Sequence, residues 1–512
     1  MSIMWKKVLL AAALAAFATT AVMADDLPSF DTPSDNSIPG FGDESGSLPG
    51  FESDSGSASS SSFGAASSAL AISGEGGASS RWFLAGASDI EDRAVQMDPY
   101  FRLNFSYSGS IGEVEAKLKV NERILKDNPE DVIDELTLRA YLGDFVLEAG
   151  KMKLVWGKGD KVHVLDNFNS DDYSDFIFPD YIDRRIAVPM VHVAYNMDNG
   201  MRLEGAYTPY MTGTRYASSG PWVPERTLLD AYQAADRTAK ENPLYGSSYT
   251  EPTLGSFSAT KLYGIYKDNL PDTRTLKYGQ FGLRATGTVG SFDWGASYFY
   301  GRMKDSSIHS AELVKMLLNA GCSSVPSTLL FPLPVGQLYD YDRMQVFGLE
   351  GATVISGFNF RAELGYFLTD DVDGDDPYVH NNSLQWVFGF DRDLPWNNLN
   401  VNIQTQGKYI LHGDDVKDGV GDVDYNGEKA WVQNRLVLDI TDSWMHEKLK
   451  PELKLVWNIE LEDVVVMPQV SYQLMEGLDV SLAGLYIYSG DNGQFYDFKD
   501  NSFVQVGAVY KF

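Results

Sequence analysis

From residue 101 to the C-terminus, apolar and polar residues alternate in segments of about ten residues. In "FRLNFSYS" (101–108) every second residue, beginning with Phe101, is apolar or aromatic. The same period of two appears in "EVEAKLKV" (113–120), in "DVSLAGLYIYS" (479–489) and in the closing "SFVQVGAVYKF". Strands of this length with one apolar face are typical of a transmembrane antiparallel β-barrel, whose other face lines the lumen. The pattern therefore predicts this all-β fold, with a soluble sandwich of shorter strands as the alternative.

The segments between the predicted strands alternate between short and long. Counted back from Phe512, short connections such as "QLMEGL", "ISG", "TVGS" and "LGDF" mostly alternate with long ones, among them 156–187, 209–275 and 305–341. Bacterial barrels have short periplasmic turns and longer outer loops, so Phe512 is placed at the periplasmic end.

The same count predicts about 18 strands, with 16 or 14 as alternatives. It takes "SRWFLAGAS" (80–88) as the first strand. Residues 259–267 are strand-like too, but a single extra strand would make the number odd. They are therefore assigned to an outer loop, because bacterial barrels have an even number of strands.

Two segments precede the predicted barrel at 80–512. Residues 1–24 have Lys6 and Lys7, a short apolar stretch and a small-residue end, which is typical of a cleavable secretory signal peptide. Residues 25–79 are rich in Ser, Gly and Asp and contain no Lys or Arg, which predicts a disordered linker. We therefore expect an exported protein that is integral to the outer membrane.

Composition narrows the classes of partner. The net charge of -30 argues against a nucleic-acid-binding protein, which needs basic patches for phosphates. Acidic stretches in the predicted outer loops, such as "DDVDGDDPY" at 370–378, are possible sites for divalent cations, but they lack the spacing of a calcium-binding loop. With Cys322 as the single cysteine, neither an intramolecular disulfide nor a cysteine metal site is expected.

No sequence motif of a catalytic site was found. The six histidines form no His-Glu-x-x-His motif, and the chain has no Gly-x-Ser-x-Gly motif. We therefore predict no catalytic residues, no cofactor and no metal centre. A barrel hydrolase that uses an outer-loop His with a Ser or Asp is the less favoured alternative.

The segment between Trp156 and Val188 differs from the other predicted loops. It mixes apolar, acidic and aromatic residues without clean alternation, so we predict a loop folded into or over the lumen. Buried charges there should pair, since isolated buried charges are costly. Both a structural plug and a solute-selecting constriction fit this pattern. The candidate constriction residues are Trp156, Asp160, Asp166, Asn169, Asp172, Asp183, Arg184 and Arg185.

The same region resembles the signature of an uncharacterised family of Gram-negative, porin-like outer-membrane β-barrels. About fifty residues carry the resemblance. The matching elements are Ala140-Tyr141-Leu142, Gly150-Lys151, Val155-Trp156-Gly157, Asp160, Val164-Leu165-Asp166, Asn169, Asp172 and Asp183-Arg184-Arg185-Ile186. The resemblance implies movement of hydrophobic or lipid-like molecules across the outer membrane, often beside large inner-membrane exporters.

The leading functional hypothesis is a porin-like channel or passive transporter for small or hydrophobic solutes. The loop charges would set its selectivity, as charged rings do in pores. A surface adhesin or structural outer-membrane protein that uses the long outer loops is the second hypothesis. The expected partners are outer-membrane lipid and the outer-membrane assembly machinery, which would read the closing strand ending at Phe512.

Overall fold

Eighteen long strands form one closed antiparallel sheet within the residues that the structure, a computed structural model, describes: 69–84, 95–250, 259–322, 332–417 and 421–512. With five short strands in the loops, the order is β1 Ala69–Phe83, β2 Val95–Ser108, β3 Gly112–Asn121, β4 Ile133–Leu142, β5 Phe145–Met152, β6 Ser170–Asp171, β7 Ser174–Ile177, β8 Arg185–Ile186, β9 Val188–Asn196, β10 Arg202–Thr208, β11 Gln280–Val289 and β12 Phe292–Arg302. It continues with β13 Ser307–Ile308, β14 Tyr339–Asp340, β15 Arg343–Ile355, β16 Phe358–Thr369, β17 Ser383–Asp393, β18 Asn400–Ile410, β19 Val432–Thr441, β20 Leu449–Asn458, β21 Asp463–Met475, β22 Leu478–Ser489 and β23 Phe503–Lys511.

The barrel closes by pairing of its first and last long strands. β1 pairs with β23 in the register Ala78↔Ala508, and Phe512 exchanges two backbone hydrogen bonds with Gly74, of 2.9 and 3.0 Å. Closure leaves no unpaired sheet edge, which a strand in lipid cannot tolerate. The predicted barrel of about 18 strands is confirmed, and the alternatives of 16 and 14 are excluded.

Connections of different length occupy the two ends of the barrel. The turns after β2, β4, β9, β11, β15, β17, β19 and β21 lie at one end, called here the turn end. Connections at the other end, the loop end, include 153–187, 209–279 and 303–342. The predicted alternation of short and long connections is confirmed.

Five short helices are described, all in connections at the loop end. They are α1 Glu122–Asp127, α2 Tyr181–Arg184, α3 Glu225–Lys240, α4 Ala259–Asp268 and α5 Ser310–Gly321. Residues 259–267 lie in α4, so their assignment to a loop rather than a strand is confirmed. Helices α3 and α5 share an apolar core that includes Tyr232, Ala239 and Leu317. None of the described helices is both long and apolar enough to cross a membrane.

The two faces of the sheet differ as the alternation requires. On β10 and β11, Leu203 and Leu283 point outward and are exposed, whereas Glu204 and Arg284 point into the lumen and are buried. The outer face therefore offers an apolar surface, and the lumen carries the charges.

The start of the barrel differs from the prediction. The first strand spans Ala69–Phe83, so the boundary at residue 80 was wrong and residues 69–79 belong to the barrel rather than to the linker. Glycines interrupt the alternation of apolar and polar residues in this strand. A side chain would collide with a neighbour at Gly77, where a Cβ would lie 2.7 Å from the ring of Tyr100. The predicted signal peptide, the rest of the linker and residues 85–88 of the predicted strand lie outside the described residues.

Candidate functional site

Residues 153–187, called here the crossing loop, lie inside the barrel. Every residue of this loop is buried or half-buried. Its first half packs on an apolar patch of the lumen wall formed by β5, β9, β10, β12 and β15–β17. The buried wall residues are Met152, Val188, Met190, Ala206, Phe299, Met344, Val346, Phe367 and Val387, and the buried loop residues that pack on them are Trp156, Val164, Leu165 and Phe168. The predicted folded loop is therefore held as a small hydrophobic core within the lumen.

Glycines in the wall make room for the rings of the loop. The ring of Trp156 meets that of Phe168 edge-on at 5.1 Å, and both lie over Gly282 of β11. A Cβ at Gly282 would come within 2.7 Å of the Trp156 ring, and one at Gly348 within 2.7 Å of Leu165. These positions therefore need a residue without a side chain.

Glu363 of β16 fastens the loop to the wall. Its carboxylate accepts hydrogen bonds from the backbone N–H groups of Gly159 (2.6 Å), Val164 (2.8 Å) and Leu165 (3.1 Å). The Nδ1 atom of His163 lies 3.0 Å from the same carboxylate. Glu363 is 1% exposed. These hydrogen bonds therefore compensate for the hydration that its carboxylate loses on burial.

Titration of His163 should weaken this attachment at high pH. Burial alone would lower the pKa of His163, but the adjacent Glu363 carboxylate outweighs burial and raises this pKa. The contribution of the ion pair is therefore complete below about pH 6.5, and it is lost as the pH rises through the raised pKa. We predict that, between pH 6 and pH 9, the free energy of unfolding of the wild-type protein falls by about 1.5 kcal/mol more than that of H163Q. Urea unfolding in detergent at pH 6 and pH 9 measures the difference.

The matched control for that measurement is H446Q, since His446 is exposed in a turn. Its stability should follow the pH dependence of the wild type. Equal pH dependence of wild type and H163Q would contradict the assigned role of His163.

The tip of the loop contacts the wall through charges. Asp160 lies 3.1 Å from Arg361 of β16 and also contacts Asn402. The Nζ atom of Lys161 lies 3.0 Å from Asp439 of β19, which is 3% exposed. Asp160 is thus one of the predicted residues with a partner on the wall, and its side chain keeps 23% exposure.

Inside the loop, Arg185 is the central buried charge. It donates to the carboxylate of Asp166 (2.9 Å) and to its backbone carbonyl (2.7 Å), and to Asp171 at 3.2 Å. Tyr181 donates to the same carboxylate of Asp166. Arg184 instead donates to the backbone carbonyls of residues 177 and 179. These arginines therefore shape the loop rather than face an open passage.

Asn169 joins the two ends of the loop where β5 and β9 separate. Its amide group donates to the carbonyls of Met152 (3.1 Å) and Ile186 (2.9 Å), and its carbonyl oxygen accepts from the N–H of Leu154 (2.9 Å). The side chain thus replaces backbone pairing that stops at Met152. Its role is to hold the base of the loop.

The second half of the loop reaches the opposite wall. Phe176 stacks on Trp222 with the ring centroids 5.2 Å apart, beside Phe495. This group belongs to an apolar cluster with residues of β1 and β21–β23. Together with the first cluster it shows that the loop spans the lumen from wall to wall.

Two further predicted residues pair around this second half. Asp183 lies 2.8 Å from Arg102 of β2; burial would raise the pKa of Asp183, but Arg102 and nearby lysines hold it well below its usual range. Asp172 lies 3.1 Å from Arg215, which also contacts Asp131. The structure therefore brings all eight predicted residues into one loop, while their role in selecting solutes stays a prediction.

Sequence patterns missed the partners on the barrel wall. Glu363, Arg361 and Asp439 occupy lumen-facing positions of ordinary alternating strands, where charge is expected on every barrel. A belt of charges on β3–β15 was missed for the same reason. Its members alternate in sign and contact one another in the order Glu113, Arg139, Glu148, His192, Glu204, Arg284 and Glu350. Four carboxylates therefore pair with two arginines and one histidine along that wall, which leaves the belt acidic overall.

A cluster of Ser307, His380 and Asp342 bears on the hydrolase alternative. The Oγ atom of Ser307 and the carboxylate of Asp342 both contact Nδ1 of His380, at 3.2 and 2.5 Å. A hydrolase relay instead divides its acid and its nucleophile between the two ring nitrogens. This cluster joins two outer loops, and it gives the hydrolase alternative no support.

The acidic outer loop at 370–378 uses one carboxylate internally. Asp371 accepts hydrogen bonds from the N–H groups of Gly374 (2.9 Å), Asp375 (3.2 Å) and Asp376 (3.2 Å). Asp371 therefore organises the turn. Binding of divalent cations at these loops stays a prediction.

Most of the chain matches one protein family. Residues 142–512 match the family model DUF1302, described as a protein of unknown function. The chain belongs to this family. The predicted resemblance to an uncharacterised barrel family is thereby confirmed. The matched residues include the whole crossing loop.

Several solved structures are similar to this family member at low identity. A BenF-like porin from Pseudomonas fluorescens Pf-5 is 10% identical with a TM-score of 0.44, over 88% of this chain and 98% of that chain. OpdO from Pseudomonas aeruginosa is 10% identical with a TM-score of 0.44, over 88% and 97%. OccAB3 from Acinetobacter baumannii is 11% identical with a TM-score of 0.43, over 87% and 99%. No curated protein matches the chain in sequence.

Proposed function

We propose that the protein is an integral outer-membrane channel for passive movement of small solutes, with the crossing loop as its constriction. The observation that carries the proposal is a cavity of about 630 Å³ beside the loop. Lumen-facing residues of β17–β20 line it, together with the start of α3 and the β22–β23 connection. The loop thus fills one part of the lumen and leaves polar space in another.

The outer surface supports a place in a membrane. Aromatic and aliphatic side chains are exposed on the outward positions of successive strands, including Tyr207, Phe281, Leu283, Phe347, Leu349 and Phe388. Such a surface is stable in lipid and unfavourable in water. Together with the predicted signal peptide, it favours the outer membrane. Lipid contact, recognition of the Phe512 strand by the assembly machinery and cation binding at outer loops are parts of this proposal.

The loop contacts indicate where solutes would pass. On the β3–β15 side, the apolar core and the belt of paired charges occupy the wall. Next to it, on β16–β19, the tip charges Asp160 and Lys161 each contact a wall residue of opposite charge. A passage along this side would be lined by both signs of charge, which favours small polar solutes over the hydrophobic ones that the resemblance implied.

Ion conductance in planar bilayers tests the channel. The purified full-length mature protein should give discrete conductance steps after insertion, because the proposed function requires a continuous aqueous path beside the loop. A folded protein that inserts but never conducts would refute a channel. The adhesin hypothesis would then be tested by measuring whether the long connections at 209–279 and 303–342 bind a surface ligand.

A further inference from the structure

The cavity beside the crossing loop has the composition of a binding site rather than of a simple water-filled vestibule. Carboxamide side chains are the most frequent type in its wall, beside a nearly balanced set of charged ones, and many come from four neighbouring strands and the β22–β23 connection. Among them are Gln385, Gln406, Gln433, Asn434, Asn458 and Gln494. A volume of about 630 Å³ lies within the range of roughly 300–1,000 Å³ that small-molecule sites occupy.

A half-buried arginine orients several of these amides. Arg435 of β19 donates to the side-chain oxygens of Asn458 (2.7 Å), Gln494 (3.0 Å) and Gln406 (3.4 Å). Asn458 in turn donates to Asp463 at 2.9 Å. Fixed carboxamides cost a ligand less ordering entropy than mobile ones, so the wall is preorganised.

Several of the other charges around the cavity are also engaged by the protein. Glu460 accepts a hydrogen bond of 2.7 Å from the side chain of Asn434. Arg226 contacts Asp230 at 3.2 Å and covers the ring of Tyr496 at 3.9 Å. The carboxylate of Asp497 accepts from the backbone N–H of Arg226 at 2.9 Å. Three cationic and four acidic side chains line the cavity, so its charges nearly balance and leave little net attraction for either an anion or a cation.

The chemistry of the wall selects one class of solute. A carboxamide offers both donors and acceptors, which matches a hydroxyl group that also donates and accepts. A hydrophobic solute would cover these polar groups without replacing their hydrogen bonds with water, at a cost of about 1–3 kcal/mol for each group.

We propose that this cavity is a binding site for a polyhydroxylated neutral solute, a small saccharide or polyol, on the way through the barrel. The inference rests on the proposed channel function and names the solute class of that channel. Binding would be reversible, because each contact is a neutral or shared hydrogen bond. The site would delay such solutes at the loop end before they reach the crossing loop.

Current block in planar bilayers tests this proposal with maltose and raffinose as probes. Sodium benzoate and decanoate serve as the charged and hydrophobic comparisons. The expected result is a saturable reduction of ion current by the saccharides alone. In Q433L the apparent affinity should fall about tenfold, which corresponds to about 1.4 kcal/mol for one lost hydrogen-bonding group.

The matched control is Q469L, which removes a carboxamide from β21 outside the cavity. It should keep the wild-type block, and unchanged heat-modifiable gel mobility shows that both variants are folded. Conductance without saccharide block, block by benzoate or decanoate only, or equal block in Q433L and wild type would overturn the saccharide site while leaving the channel intact. Absence of conductance in the wild type would overturn the channel itself and the site with it.

Discussion

Replacing Glu363 with alanine is expected to release the crossing loop from the wall. The variant leaves two buried backbone N–H groups, the half-buried N–H of Gly159 and His163 without their acceptor. Loss of a buried charged partner costs about 3–5 kcal/mol. We expect a lower unfolding temperature in detergent and cleavage of the loop by proteases that do not cut the wild-type protein.

Two further variants serve as comparisons for E363A. E363Q keeps one acceptor oxygen and should fall between the wild type and E363A. E115A removes a carboxylate that is 46% exposed on β3 and should change the unfolding temperature little. If E363A were as stable and as protease-resistant as E115A, Glu363 would not be the attachment of the loop.

Enlarging Gly282 to alanine is expected to have the second-largest effect. The new methyl group would lie 2.7 Å from the ring of Trp156 and 2.9 Å from that of Phe168. Both residues are 1% exposed, and Phe168 packs against both Trp156 and Phe299, so the rings have little room to move. Overpacking of this kind costs about 1–3 kcal/mol. The temperature at which the folded band disappears on unboiled gels measures the loss.

The control for this substitution is G205A on the neighbouring strand β10. A Cβ there would meet Leu283 at 3.5 Å, an ordinary van der Waals contact. G205A should therefore unfold close to the wild-type temperature. Equal losses in both variants would mean that any wall alanine disturbs the barrel and that the loop does not rest on Gly282.

The sequence predicts most of the barrel because each strand carries its own evidence. One face must be apolar for lipid, so a period of two recurs wherever the chain crosses the sheet. The exception is β1, where Gly74, Gly76 and Gly77 interrupt the period. At Gly74 and Gly77 the reason is space, because Phe512 and Tyr100 lie where side chains would be. A strand that needs glycines for close packing against its neighbours shows little alternation of apolar and polar side chains.

For the site, the sequence identifies the loop but not its attachments. Apolar residues such as Trp156 and Phe168 are unnecessary in a solvated loop, so their presence reveals that the loop is buried. Glu363 contacts His163 across 200 positions of sequence, and no local pattern links the two. Such partners depend on the register of each strand in the closed barrel, which alternation alone does not fix.

The central claim is that residues 153–187 span the lumen and restrict the passage. Met152 and Val188 pair directly at the base of the loop, so a short Gly/Ser linker can replace the whole loop without disturbing the barrel strands. Single-channel conductance of this variant in planar bilayers tests the claim most directly. We expect a conductance several-fold higher than that of the wild type, whereas an unchanged conductance in a folded variant would show that the loop does not restrict the passage.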